Sequence, residues 1–150
     1  MKYVKFLVLN IIVFGVLFTL ISLLFPSVIQ TSKTINIGGG ENKILNKLSD
    51  VTSWKKWNMF SQTDSLTNAT VMADSTMIVT KWEFNRGRKL QCEIAVYKST
   101  TDSIPVSFTI TEKLKWYPWE KFRALVSDKA MSNAVELSLD NLKKQIELEK

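Results

Sequence analysis

The sequence predicts an α+β fold: a curved antiparallel sheet wrapped around a long C-terminal helix, preceded by one N-terminal transmembrane helix. Three observations predict it. Residues Phe6 to Phe25 form an uncharged apolar run of twenty. At 1.5 Å per residue this run spans roughly 30 Å, the thickness of a bilayer's hydrocarbon core. Three stretches between Thr76 and Trp116 alternate apolar and polar residues with period two, the strand period. Finally, Asp128 to Glu149 places Met131, Val135, Ser138, Leu139, Leu142 and Ile146 at steps of three and four, which is one stripe of a helix. That stripe is too small to hold an isolated helix, so a sheet must cover it.

The N-terminal run is expected to be an uncleaved anchor, residues 1–27, stopped by Pro26. Asn10, Thr19 and Ser22 are its only polar groups, and serine and threonine can bond back to their own helix carbonyls. A signal peptide is the rival, since Lys2 and Lys5 make an n-region. Against it, the run exceeds a normal h-region and no small-x-small cleavage site follows. Lys2 and Lys5 favour a cytoplasmic N-terminus, giving a single-pass membrane protein with an extracytoplasmic domain, residues 28–150.

Within that domain, Val28 to Ile37 reads as a strand with Ile29, Thr31, Lys33, Ile35 and Ile37 on one face. Gly38-Gly39-Gly40 then breaks it. GGGENK lacks the spacing of a phosphate loop and reads as a turn into a short helix, Glu41 to Asp50. Trp54 and Trp57 follow, three apart and so on one helical face. They either seal the core or line a ligand entrance. Ser61 to Ser75 reads as polar and turn-rich, with an apolar island at Ala69 to Ala73 and a sequon at Asn68-Ala69-Thr70 that carries little weight.

The three alternating strands are Thr76 to Phe84, Lys89 to Tyr97 and Ile104 to Trp116. Asn85-Arg86-Gly87-Arg88 and Ser99 to Ser103 supply hairpin turns, so the strands form an antiparallel meander. Strict alternation turns Glu112 inward, where a carboxylate is costly unless partnered; a bulge would turn it outward instead. Trp116 to Phe122 reads as an aromatic linker. Beside Lys115, Lys121 and Arg123 it suits either a membrane-facing rim or ordinary loop packing. Ser127 or Asp128 is the expected N-cap of the last helix. Leu137 falls on its polar side.

Composition excludes several chemistries. The chain has no histidine and a single cysteine, Cys92. Ser-His-Asp and Cys-His catalysis, zinc hydrolysis, an intrachain disulfide and a cysteine metal cluster are therefore ruled out. No cofactor is expected. The net charge of +6 is spread along the chain in short clusters, Lys55-Lys56 and Arg86 to Lys89. It does not gather on one face as nucleic-acid binding requires, so no nucleic-acid partner is expected.

Glu41-Asn42-Lys43-Ile44 opening a helix, then Leu48-Ser49-Asp50 and Trp54-Lys55-Lys56-Trp57-Asn58, resembles the start of the START-like (SRPBCC) superfamily of polyketide cyclase/dehydrase and lipid-transport proteins. Glu136-Leu137-Ser138-Leu139-Asp140-Asn141-Leu142-Lys143-Lys144 resembles that family's closing helix. The resemblance covers Val28 to Glu149, and an anchor before the domain fits the bacterial type. It implies a helix-grip fold with a cavity between sheet and helix. Two features depart from the family pattern: the three glycines, and a short segment between Phe60 and Ser103, which leaves the strand count open.

The function expected is non-catalytic binding of a hydrophobic small molecule or lipid between sheet and C-terminal helix. The candidate ligand-binding residues are Trp54, Trp57, Trp82, Phe84, Phe108, Ile110, Met131 and Val135. Two alternatives stand beside it. One is a membrane-tethered module that meets a protein partner through Leu137 and the Trp116 to Trp119 loop. The other is a cyclase- or hydrolase-type enzyme using Asp50, Glu112 or Tyr97 as acid or base.

Overall fold

The apolar run, with Lys2 and Lys5 at its start, winds into helix α1, Lys2–Leu23. The computed structural model describes residues 2–62, 66–73, 77–84, 88–99 and 102–148. At 2, 51, 66–73, 77–84 and 88 it describes the backbone alone. The chain divides into two compact units: Met1–Ile29 with Lys113–Ser127, and Gln30–Glu112 with Asp128–Lys150.

In the first unit, Thr19 of α1 bonds back to its own helix as the sequence predicts and Asn10 does likewise, whereas Ser22 Oγ is buried with no partner among the described residues. Asn10 Nδ2 donates to the Phe6 carbonyl at 2.9 Å and Thr19 Oγ1 to that of Gly15 at 2.8 Å. Bonds from Leu24 N to Ile21 O and from Phe25 N to Ser22 O close the last turn before Pro26. The window Tyr3–Leu23 is long and apolar enough to cross a membrane, and almost none of it is buried. The unit also contains the start of α4, Pro118–Leu148.

That start corrects the sequence reading. The last helix does not begin near Asp128, and Trp116 to Phe122 is not all linker. Proline suits the first turn of a helix, because its φ is already helical and its missing N–H would have had no partner there. The expected caps are engaged elsewhere: Ser127 Oγ bonds back to the Ala124 carbonyl at 3.1 Å, and Asp128 Oδ1 accepts from Thr31 Oγ1 at 3.2 Å.

The second unit is built on an antiparallel sheet in the order β1-β5-β4-β3-β2. Its strands are β1 (Val28–Gly38), β2 (Leu66–Ala73), β3 (Met77–Phe84), β4 (Arg88–Val96) and β5 (Ser103–Lys113). β2 was not expected. Its sequence mixes Asn68 with small and β-branched residues and lacks clean alternation. It is nevertheless held as an edge strand by antiparallel pairing with β3, with an irregularity between Leu66 and Asn68. β5 ends at Lys113, so Trp116 is not part of the inward row assigned to it. The predicted hairpin residues 85–87 and 100–101 lie outside the described residues.

The face assignments of β4 and β5 hold, while the side chains of β3 lie outside the described residues. Leu90, Cys92, Ile94 and Val96 are buried from β4, as are Ile104, Val106, Phe108 and Ile110 from β5. They pack with Val135, Leu139, Leu142 and Ile146 of α4 in one core. Each such buried aliphatic contributes about 1.5–3 kcal/mol by leaving water. The inward face of β1 is partly polar, as its sequence is, and Lys33 meets Glu136 of α4 at 3.3 Å.

Gly39 has a specific cause. Gly39 adopts φ +143°, which side-chain-bearing residues rarely take, and a Cβ there would sit 3.4 Å from Ile146. The turn lies against the last turns of α4: Gly38 N donates to Glu147 Oε1 at 3.2 Å and Lys43 Nζ to the Ile146 carbonyl at 3.0 Å.

Candidate functional site

Helix α2 (Glu41–Ser49) buries Ile44 and Leu48 and hands over to a 3₁₀ turn, Val51–Ser53, and a one-turn helix α3, Trp54–Trp57. Asp50 makes the handover. Its Oδ1 accepts from Thr52 N at 3.0 Å and from Thr52 Oγ1 at 2.6 Å. The Thr52 hydroxyl chiefly holds the Asp50 carboxyl below its ordinary range; desolvation opposes it, and the backbone amides of Thr52 and Ser53 and the charge of Lys47 add to the lowering. Ser53 Oγ closes the turn on the Lys47 and Asp50 carbonyls. Asp50 is thus a turn residue that stays ionised near neutrality, where it is a poor proton donor or acceptor.

α3 does what the three-residue spacing requires. Both tryptophans are buried, with ring centroids 5.7 Å apart. Phe108 of β5 stands 6.4 Å from the Trp57 ring, and Phe60 stands 6.3 Å from Phe108, both edge-on. Met131 packs against this core half-buried, while Ile110 and Val135 are buried within it. Of the eight candidate residues, six are therefore in the described core: Trp54, Trp57, Phe108, Ile110, Met131 and Val135. Trp82 and Phe84 lie on β3, opposite Leu90 and Arg88 in register, with side chains outside the described residues.

The polar atoms in this aromatic nest divide sharply. Trp54 Nε1 donates to the Leu48 carbonyl at 2.7 Å. Ser138, on the stripe the sequence predicts, is a staple: its Oγ accepts from Met59 N at 3.0 Å and donates to the Ala134 carbonyl at 2.7 Å. Asn58 Oδ1 accepts from Phe60 N at 3.0 Å, which fixes the orientation of its amide. Trp57 Nε1 and Asn58 Nδ2, by contrast, are fully buried with no partner among the described residues. A buried donor without an acceptor costs about 1–3 kcal/mol. Sequence reasoning missed Asn58 altogether. Its only signal was a polar residue immediately after two core tryptophans.

The remaining candidates are scattered. Glu112 is 4% exposed, in unbroken register opposite Leu90, so alternation holds and no bulge turns it outward. It has an interaction partner. Tyr97 is exposed beyond the end of β4. Among the described residues no cluster of three or more His, Cys, Asp or Glu side chains could hold a metal ion.

No protein-family model and no curated protein matches the chain. Solved structures do match. A START superfamily protein from Mycobacterium smegmatis is similar at 14% identity and TM-score 0.56, over 81% of this chain and 99% of that one. A Staphylococcus aureus protein of unknown function is similar at 10% identity and TM-score 0.59, over 81% and 95%. A Thermus thermophilus protein is similar at 12% identity and TM-score 0.54, over 81% and 99%. The likeness is one of fold: five strands closed by a long C-terminal helix in the START-like, helix-grip arrangement.

Proposed function

We propose that this is a single-pass membrane-tethered domain that binds an amphiphile non-catalytically between its sheet and C-terminal helix. The ligand would place an acceptor oxygen of a carbonyl, ester or carboxyl group on Trp57 Nε1 and Asn58 Nδ2. Its apolar part would lie along Trp57, Phe60, Phe108 and Met131. The observation that carries this is the pair of buried, unpartnered N–H donors. A core selected only for packing would place phenylalanine and an aliphatic residue there, as it does elsewhere in the same cluster. Tethering is supported by α1, whose apolar side chains are exposed along its length and would be costly to leave in water.

Leu137 gives the protein-partner reading little. It is half-exposed on the outer side of α4, and single exposed leucines are common on soluble surfaces.

The test is native mass spectrometry of the full chain extracted from membranes in mild detergent. A co-purifying amphiphile retained through detergent exchange is the expected result. Met131→Trp, at the half-buried edge of the nest, is expected to lower its occupancy while leaving the unfolding midpoint within about 1 kcal/mol of wild type. A bare chain that takes up no amphiphile, with Met131→Trp silent, would sink the reading.

A further inference from the structure

α1 carries no basic residue in its last turn. A cation reaches that end from the other stretch of the same unit. Lys121 of α4, 4% exposed, donates from Nζ to the Phe25 carbonyl at 2.8 Å, where the negative pole of α1 favours it. One residue on, Phe122 stacks on Phe18 at 4.5 Å and 10°, and meets Phe25 edge-on at 5.5 Å. Leu114 N bonds to Ser27 O at 2.8 Å. Phe18 is five residues before the end of α1, which at 1.5 Å per residue is about 7.5 Å inside the apolar span. Phe122 therefore lies alongside the span at the depth where interfacial helices bury their apolar face, about 5–10 Å into the headgroup boundary.

The residues around Phe122 match that position. At about 100° per residue, Trp119, Phe122 and Val126 fall within about 60° of one another on α4. Trp119 is 64% exposed and Val126 84%, and Trp116 just before the helix is 68% exposed. Tyr117 lies between these tryptophans, tilted against Trp116 at 5.2 Å and stacked on Trp119 at 4.9 Å, with Lys115 Nζ 5.8 Å from its ring. The segment Lys113–Ser127 carries Lys113, Lys115, Lys121 and Arg123 against Glu120 alone, four positive charges minus one, or +3. Aromatic rings with apolar bodies and polar tips, beside lysine and arginine, are the residues that settle at a membrane surface.

We infer that Trp116 to Val126 is a second membrane contact, an interfacial seat for the bilayer surrounding α1, with Trp119, Phe122 and Val126 facing the acyl boundary and the exposed Lys113, Lys115 and Arg123 among the headgroups. The inference rests on α1 being a membrane span. The bilayer is chosen as occupant over a protein because this stripe runs directly onto the span through Phe122.

Full-length protein is reconstituted into phosphatidylcholine vesicles, with and without lipid brominated near the top of the acyl chain, and tryptophan quenching is compared with that of Trp116→Phe/Trp119→Phe. Flotation after alkaline carbonate washing is measured on the same samples. The expected result is that both proteins float, and that the double variant loses at least half of the wild-type quenching. Adding anionic lipid should deepen wild-type quenching. If both float and quench equally, the seat is wrong while the anchor stands. If the chain is stripped by carbonate, the anchor fails and the seat with it.

Discussion

Two pairs of tryptophans, each three residues apart, meet opposite fates in this molecule. Trp54 and Trp57 are buried within 5.7 Å of each other, whereas Trp116 and Trp119 are both more than half exposed. The local cause is where helix begins. Trp54 and Trp57 open and close the single turn of α3, so spacing three puts both rings on one face, against Phe108. Trp116 precedes the helix that starts at Pro118, so it shares no helical face with Trp119, and both rings lean on Tyr117 instead. Spacing thus tells which side chains travel together. What covers them is decided by strands more than fifty residues away in the chain.

Truncation is the strongest way to break the contrast. Phe108→Ala should cost about 3–5 kcal/mol, by lost transfer energy and a residual cavity among Trp57 and Phe60. Trp116→Ala/Trp119→Ala should cost about 0.5 kcal/mol or less in the detergent-solubilised chain. Denaturant unfolding midpoints read both. Equal costs would mean that the exposed pair is packed after all.

A finer experiment separates the two buried rings. Trp54→Phe and Trp57→Phe remove similar volume. Trp54→Phe also strips the Leu48 carbonyl of its donor, whereas Trp57→Phe removes a donor that has no acceptor among the described residues. In delipidated protein, Trp54→Phe should therefore be the costlier by about 1–3 kcal/mol. Ser138→Ala should cost about 1–2 kcal/mol, because it leaves the Met59 amide without its acceptor.

The smallest effect is electrostatic. Asp50 has a depressed carboxyl pKa, so its ionised form adds stability above its ordinary value of 3.8, and that contribution is lost as pH falls through the lower folded value. Wild type should exceed Asp50→Asn in unfolding midpoint at neutral pH, and the gap should narrow only below about pH 4. A gap that widens on acidification would mean the carboxyl is raised rather than lowered.

Much of this was legible in the chain before the fold was seen. The stripe from Met131 to Ile146, the alternation of β4 and β5, and the inward turn of Glu112 all follow from period alone, because each buried row is long and regular. The Leu48 to Trp57 motif was legible as a fold signature, although not its mechanics, which lie in the Asp50 and Ser53 hydrogen bonds. β2 was illegible because an edge strand gains its stability from backbone pairing with β3 rather than from an apolar row of its own. The start of α4 was missed because a run of aromatics around Pro118 reads as a break, although proline is favourable in a first turn. Trp54 and Trp57 are chemically alike in sequence. Only the position of the Leu48 carbonyl distinguishes the ring that is satisfied from the one that is not.

The indole N–H groups of these two residues therefore give the most direct measurement. ¹⁵N–¹H spectra of the full chain are recorded in nanodiscs, first as extracted with its retained amphiphile and then after delipidation. The account predicts that the Trp57 indole resonance moves downfield and exchanges more slowly in the loaded protein, while that of Trp54, already bonded to Leu48, stays fixed. A Trp57 resonance that is the same in both states, with the amphiphile demonstrably bound in the first, would contradict it.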